Sequence, residues 1–321
     1  MKYKEKIYLS EEQLIDKLKE DGLIIDRVKY VKKYLKNVGY YKLINGYKHP
    51  FKEYNSNFFR ENTNFNEIAS LYKFDFNLRH LLFKYICIIE NLIKSSMAEV
   101  ISKTFGTKDK DYLKAENFRP DDVNNKKTFE DIKEEIYKKI ETNKEIQNSI
   151  EMYTQKGYYP FWVLTNILSF GTIGLLYNKL KPSEQKLISN KYNISIKVLS
   201  SMINNIVLFR NAFAHNEIVY LFRTRNRLKQ DKTINPLYDF LKITKNEYGT
   251  YKVGTRDLLS FIIIFKILLD KNLFERFEKE FYGLLKYLKK NINNISYNYI
   301  LKCFGIYDNV NFIKELKYYK K

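Results

Sequence analysis

The stretch FNEIASLYKFDFNLRHLLFKYICIIENLIKSSMAEVISKTF, Phe65 to Phe105, decides the fold class. Leu71, Leu78, Leu82, Ile86, Ile89, Ile93 and Met97 recur at helical spacing, so one or two long helices bury a single apolar stripe here. Asp75 and Arg79 lie four residues apart, as do Glu90 and Lys94, the separation at which opposite charges pair on a helix surface. No Gly or Pro interrupts the run.

Helical signals continue outward in both directions. Ser10-Glu11-Glu12-Gln13 has the pattern of a capping box and opens a helix that stops near Gly22, and a second helix is expected from Asp26 to Asn37. Two Gly and a Pro break the pattern between Gly39 and Phe51, which marks residues 1–65 as a helical cap with an aromatic-rich loop. Residues 107–150 are mostly polar, with a thin stripe of Ile132, Ile136 and Ile140. They are expected to form an exposed helix or hairpin, either a solvated surface or a partner-binding arm. Pro160-Phe161-Trp162 returns the chain to the core, and a long helix is expected from Val198 to Phe222. Beyond it lie a basic stretch, a segment over Ile243–Val253 with the pattern of a short hairpin, and helices near 256–270, 272–290, 296–303 and 309–319. The expected organisation is an all-α chain with a cap (1–65), a helical core (66–227) carrying an insertion at about 107–150, and a C-terminal helical extension (228–321).

Composition narrows the function. The chain has 321 residues, 57 Lys and Arg against 37 Asp and Glu, and a formal charge of +20. A phosphate-rich partner explains such an excess, and so does the Lys-, Asn- and Ile-rich bias of an AT-rich genome. Arg separates the two explanations better, because such a genome supplies it sparingly. Of ten Arg, four (Arg210, Arg223, Arg225 and Arg227) fall within eighteen residues, followed closely by Lys229. Cys87 and Cys303 stand far apart in apolar contexts, as expected of reduced thiols in a cytoplasmic protein. The N-terminus has no secretory pattern, and Leu258–Leu269 is too short to span a bilayer, so no membrane partner is expected. Nothing has the form of a P-loop, a dinucleotide fingerprint or a His-Glu-x-x-His metal site, and no cofactor or metal is expected.

Three His exist: His49, His80 and His215. His49 precedes a Pro in a loop and reads as structural, and His80 reads as a partly buried helix residue. His215 differs in its company. In Arg210-Asn211-Ala212-Phe213-Ala214-His215, Asn211 and His215 share a helical face one turn apart, and Arg210 is adjacent. A cation, an amide and an imidazole can together serve RNA cleavage without metal. A base takes the 2′-hydroxyl proton, a cation stabilises the phosphorane, and an acid protonates the leaving 5′-oxygen. One His fills one of the two proton-transfer roles at a time, so a homodimer would supply both. Ala212 and Ala214 would permit close packing around this face. The Arg-x4-His spacing alone is a loose pattern.

A wider set of residues resembles the Abi-like (abortive infection) proteins of the HEPN superfamily. It comprises Gly39-Tyr40-Tyr41, Gly46-Tyr47-Lys48-His49-Pro50-Phe51, Phe65-Asn66-Glu67-Ile68, Leu71 to Arg79, Ile89-Glu90, Pro160-Phe161-Trp162, Ser169-Phe170-Gly171 and Arg210 to His215. The resemblance covers roughly residues 10–225 and is distantly similar to the type VI CRISPR RNA-targeting effectors. It implies a HEPN-type helical bundle that pairs, joining two Arg-x4-His motifs into one metal-independent endoribonuclease centre that leaves a 2′,3′-cyclic phosphate. It further implies a phage-defence toxin restrained by a small structured RNA. On the resemblance, Arg210 holds the scissile phosphate, Asn211 orients it and His215 transfers the proton. Asp75, Arg79 and Glu90 match family positions with either a structural or a functional role. The alternative is a HEPN protein that has lost catalysis and binds RNA through Arg223, Arg225, Arg227, Lys229 and the many Lys.

Overall fold

A computed structural model of the chain describes residues 7–121, 127–142, 144–155, 157–306, 311–316 and 318–319. The protein is all-α, and the described residues contain no strand, only isolated bridges. Helices run Glu11–Glu20 (α1), Val28–Val38 (α2), Phe65–Phe105 (α3), Asp109–Tyr112 (α4), Phe129–Thr142 (α5) and Lys144–Thr154 (α6). They continue with Phe161–Leu164 (α7), Phe170–Lys179 (α8), Pro182–Asn190 (α9), Ile196–Ala214 (α10) and Asn235–Phe240 (α11). Leu258–Leu268 (α12), Lys271–Asn291 (α13), Tyr297–Cys303 (α14) and Asn311–Leu316 (α15) complete the order. The Ser10 box forms as expected: the Gln13 N–H donates to Ser10 Oγ at 3.3 Å, and the Ser10 N–H donates to Gln13 Oε1 at 2.8 Å.

The chain divides into two compact units, each assembled from separated segments. The first comprises residues 1–82, 218–222 and 276–310. Its core gathers the apolar stripe of early α3 (Ile68, Leu71, Phe74, Leu78) with Leu43, Phe51, Phe281 and Phe304, and the Phe74 and Phe304 rings stack at 5.7 Å. Asp75 lies within this core and is fully buried. Burial pushes its carboxyl up from the ordinary range, Tyr220, Tyr47 and Arg79 oppose that push, and four donors surround the group. They are the Tyr220 N–H (2.8 Å), the Val219 N–H (2.9 Å), the Tyr47 hydroxyl (2.9 Å) and the Arg79 guanidinium (3.0 Å). The Asp75–Arg79 pair anticipated for the helix surface therefore forms, but it forms inside the core.

The second unit comprises residues 83–217, 223–275 and 311–321. Here α8 packs on α10 so closely that a Cβ on Gly174 would stand 3.1 Å from Ile203 Cγ2. The apolar run near Leu258 becomes α12, buried on nearly every side, with Phe261 against Phe209. No helix among the described residues is long and apolar enough to cross a membrane.

Three expectations about the fold away from the candidate site are corrected. The polar segment 107–150 is not simply a solvated arm. The stripe Phe129, Ile132, Ile136 and Ile140 is buried, α5 packs on α8, and Phe129 stacks on Phe118 at 4.1 Å. Of the two rings in Pro160-Phe161-Trp162, only Phe161 enters the core, and Trp162 stays exposed. The expected hairpin over Ile243–Val253 reduces to one bridge, Lys245 to Tyr251. Asn246 Oδ1 takes the Tyr248 and Thr250 N–H groups and closes the turn, and the bridge is flanked by the Asn246 N–H on the Thr250 carbonyl at 2.8 Å and the Lys252 N–H on the Thr244 carbonyl at 3.0 Å.

Replacing Asp75 with Ala should cost about 3–5 kcal/mol, because Arg79 and two amides lose their buried acceptor. Urea denaturation measures this, and a loss below about 1 kcal/mol would refute the role assigned to Asp75. Glu135 offers a pH test on the surface of the second unit. The Lys127 ammonium, aided by Lys139 and Thr172, holds its carboxyl at about 2, below the ordinary 4.5. The folded value is depressed, so this contribution is full above pH 4.5 and fades as pH falls toward 2. Glu135→Gln should therefore lose less than about 1 kcal/mol at neutral pH, because its Lys127 partner is exposed, and the difference from wild type should shrink on acidification.

Candidate functional site

The candidate site grows from the end of α10. Ser195 caps the start, with its hydroxyl accepting the Val198 N–H at 3.2 Å. The expected helix to Phe222 instead stops at Ala214, and His215 is its C-cap. Asn216 turns left-handed (φ +57°), its N–H donates to the Phe213 carbonyl at 3.2 Å, and the Glu217 N–H donates to the Ala212 carbonyl at 3.1 Å. These two bonds form a Schellman stop with Asn at the left-handed position. The apolar residues beyond it are used elsewhere: Val219 and Tyr220 are buried in the first unit, where their amides bind Asp75.

Helical phase divides the motif by face. Ala212 and Phe213 point inward, and Phe213 meets Phe209 at 5.7 Å and Phe261 at 6.1 Å. Asn211, Ala214 and His215 are exposed. Ala214 therefore does not serve close packing as expected, and only Ala212 does. The His215 N–H donates to the Asn211 carbonyl at 3.1 Å, which fixes the backbone relation of these two residues.

Arg210 is held from α3. Its Nε stands 3.3 Å from Glu90 Oε2, outside hydrogen-bonding alignment, and its side chain keeps 36% of its accessible surface. The terminal guanidinium nitrogens have no hydrogen bond among the described residues. Glu90 is itself buried and pairs with Lys94 at 2.7 Å, as its spacing predicts. Cys87 lies within reach of this charge cluster: burial pushes its thiol up, reinforced by Glu90 and opposed by Arg210 and Lys94. The Arg210–Glu90 contact joins residues far apart in sequence, and no local pattern announces it. The only advance signal for Glu90 is its place among the residues that carry the family resemblance.

The downstream cations lie on an anchored segment. Arg223, Arg225, Arg227 and Lys229 are exposed, while Thr224 and Leu228 between them are buried. The Thr224 N–H donates to the Arg256 carbonyl (2.8 Å), the Leu228 N–H to the Thr255 carbonyl (2.7 Å), and the Lys229 N–H to Ser201 Oγ on α10 (3.0 Å). The backbone is thus held while these four residues stay exposed. The other two His stand apart in role. His80 is exposed rather than partly buried, with Nδ1 2.7 Å from the Phe76 carbonyl and its ring against Phe76. His49 is exposed at the start of a 3-10 turn. Among the described residues, no group of three or more His, Cys, Asp or Glu could hold a metal ion.

An all-helical protein with an Arg-x4-His helix end is the class these observations define. The family model for Abi-like protein matches residues 33–221, and the chain belongs to that family. Membership supports a function related to abortive infection. Neither a curated protein nor a solved structure matches the chain significantly.

The left-handed stop at Asn216 supports a stability prediction. Asn216→Gly should be neutral or slightly stabilising, whereas Asn216→Ala should cost about 1 kcal/mol in chemical denaturation. Equal effects of the two substitutions would argue against the Schellman stop.

Proposed function

We propose that this Abi-like protein is a phage-defence endoribonuclease that acts without metal through Arg210, Asn211 and His215. The observation that carries the reading is the state of Arg210. Glu90 approaches the guanidinium from the Nε side, and its terminal nitrogens stay unengaged on the helix end that exposes Asn211 and His215. A guanidinium oriented in this way offers a phosphate two parallel donors. In the proposed reaction, His215 takes the 2′-hydroxyl proton and the 2′-oxygen attacks phosphorus. Arg210 and Asn211 bind the phosphorane oxygens, and the 5′-oxygen departs with a proton, leaving a 2′,3′-cyclic phosphate. The second proton-transfer group is His215 of another copy, so the active species is a homodimer. A small structured RNA held on Arg223, Arg225, Arg227 and Lys229 would restrain the enzyme in the cytoplasm.

A second reading, a non-catalytic RNA-binding protein, has one observation in its favour. Glu90 partly neutralises Arg210, and that arrangement suits a structural ion pair as well as a poised cation. The anchored basic segment serves RNA binding on either reading.

One measurement separates them, and a second tests the basic segment that both share. The wild-type protein and His215→Ala are purified, the RNA bound to each is sequenced, and cyclic-phosphate ends in cellular RNA are mapped. Cleavage ends found only with wild type, and one RNA held by both proteins, are the expected result. Identical end profiles under phage challenge would remove the nuclease reading and leave the binding one. Replacing Arg223, Arg225 and Arg227 together with Gln should lower the slope of log K against log salt by roughly 2–3, about one per lost phosphate contact. An unchanged slope would remove this segment from the RNA interface.

A further inference from the structure

A cavity of about 650 Å³ is built wholly from residues of the first unit. That volume lies in the range of small-ligand sites. One wall is the loop from Lys48 to Arg60, and the other is Ile295, Ser296 and Tyr299. Both walls are preformed. The loop is closed by the Lys52–Phe59 bridge, by the Glu53 N–H donating to the Phe58 carbonyl at 3.1 Å, and by the Arg60 N–H donating to the Phe51 carbonyl at 2.9 Å. The opposite wall is tied to α3 through Glu67, whose carboxylate accepts the Asn293 and Asn294 N–H groups and the Asn294 amide.

The lining mixes cations with open rings. Lys52 is committed to the fold, since it reaches Asp21 at 3.3 Å and lies over the Phe59 ring, and burial pushes its ammonium down. Lys48 and Arg60 have no ion pair among the described residues, and Arg60 engages only its Nε, on the Lys52 carbonyl at 3.1 Å. Glu53 offsets one positive charge, and the lining stays net positive. Tyr54 is 93% exposed and Tyr299 45% exposed, and the Arg60 charge is close enough to act on the Tyr299 phenol. A site for phosphate alone needs no rings, and a site for an apolar ligand needs no free guanidinium. Cations with unengaged donors beside stackable rings suit a base joined to a phosphate.

We infer that this cavity binds a phosphorylated nucleoside, either free or as an unpaired nucleotide of an RNA strand. Lys48 and Arg60 hold its phosphate, and Tyr54 and Tyr299 stack its base. The inference does not depend on RNA cleavage by His215.

The test uses the full chain carrying His215→Ala, so that cutting cannot interfere, with Arg223, Arg225 and Arg227 changed to Gln to silence the basic segment. AMP and UMP are titrated by calorimetry, and a labelled single-stranded uridine 12-mer by fluorescence anisotropy. Tyr54→Ala should weaken the responding probe about fivefold or more; Lys48→Gln should weaken it too and, where the 12-mer responds, lower the salt slope by roughly 1. Both positions are on the surface loop, and circular dichroism verifies that each variant folds. Mononucleotide binding that both substitutions weaken establishes a free-nucleotide site. An effect confined to the 12-mer establishes a strand site. If no probe binds, or if both variants bind as the parent does, the inference is overturned. RNA cleavage by protein with intact His215 is scored separately, so failure of one reading leaves the other standing.

Discussion

A single carboxylate, Asp75, sets the terms for the first unit. It is inaccessible to water and would be untenable as an isolated charge. It persists because a tyrosine hydroxyl, a guanidinium and two successive backbone amides converge on it. Those donors come from residues 47, 79, 219 and 220, so the aromatic loop, the long helix and the segment after the α10 stop must all be in place together. The same contact explains why α10 need not continue past His215: the next apolar residues already have a core position and hydrogen-bond acceptors.

Much of this is legible in the chain. The 41-residue helix α3 follows from its apolar spacing and lack of breakers, and α1 from a capping box that forms both of its bonds. Helices expected near 272–290 and 296–303 correspond closely to α13 and α14. Sequence alone extends α10 too far because Ile218, Val219, Tyr220 and Phe222 keep an apolar character that looks like further helix. Asn216 is the visible mark of the stop, since Asn tolerates the left-handed conformation. Segment 107–150 misleads for a related reason. A narrow stripe among many charges suffices when α8 supplies the opposite face and Thr172 donates to Glu135 at 2.8 Å.

The candidate site divides in the same way. Its local half, the exposed Asn211 and His215 beside the buried Ala212 and Phe213, is a matter of helical phase, which a sequence displays. Its distant half, Glu90 against Arg210, depends on which helices become neighbours. The i, i+4 pairing of Glu90 with Lys94 is readable from spacing, whereas the carboxylate's second partner is not. An arginine's availability to a ligand depends on such distant partners.

The interleaving of the two units has a consequence for how the protein is made. Asp75 leaves the ribosome 144 residues before Val219, the first of its two amide partners. At about 5–20 residues per second, its carboxylate stays hydrated for roughly 7–30 s before it can be enclosed. Glu67 waits longer, until residues 293 and 294 have been synthesised. A ribosome that stalls shortly before those residues therefore leaves the first unit without its closing wall, rather than releasing a shorter protein with that unit complete.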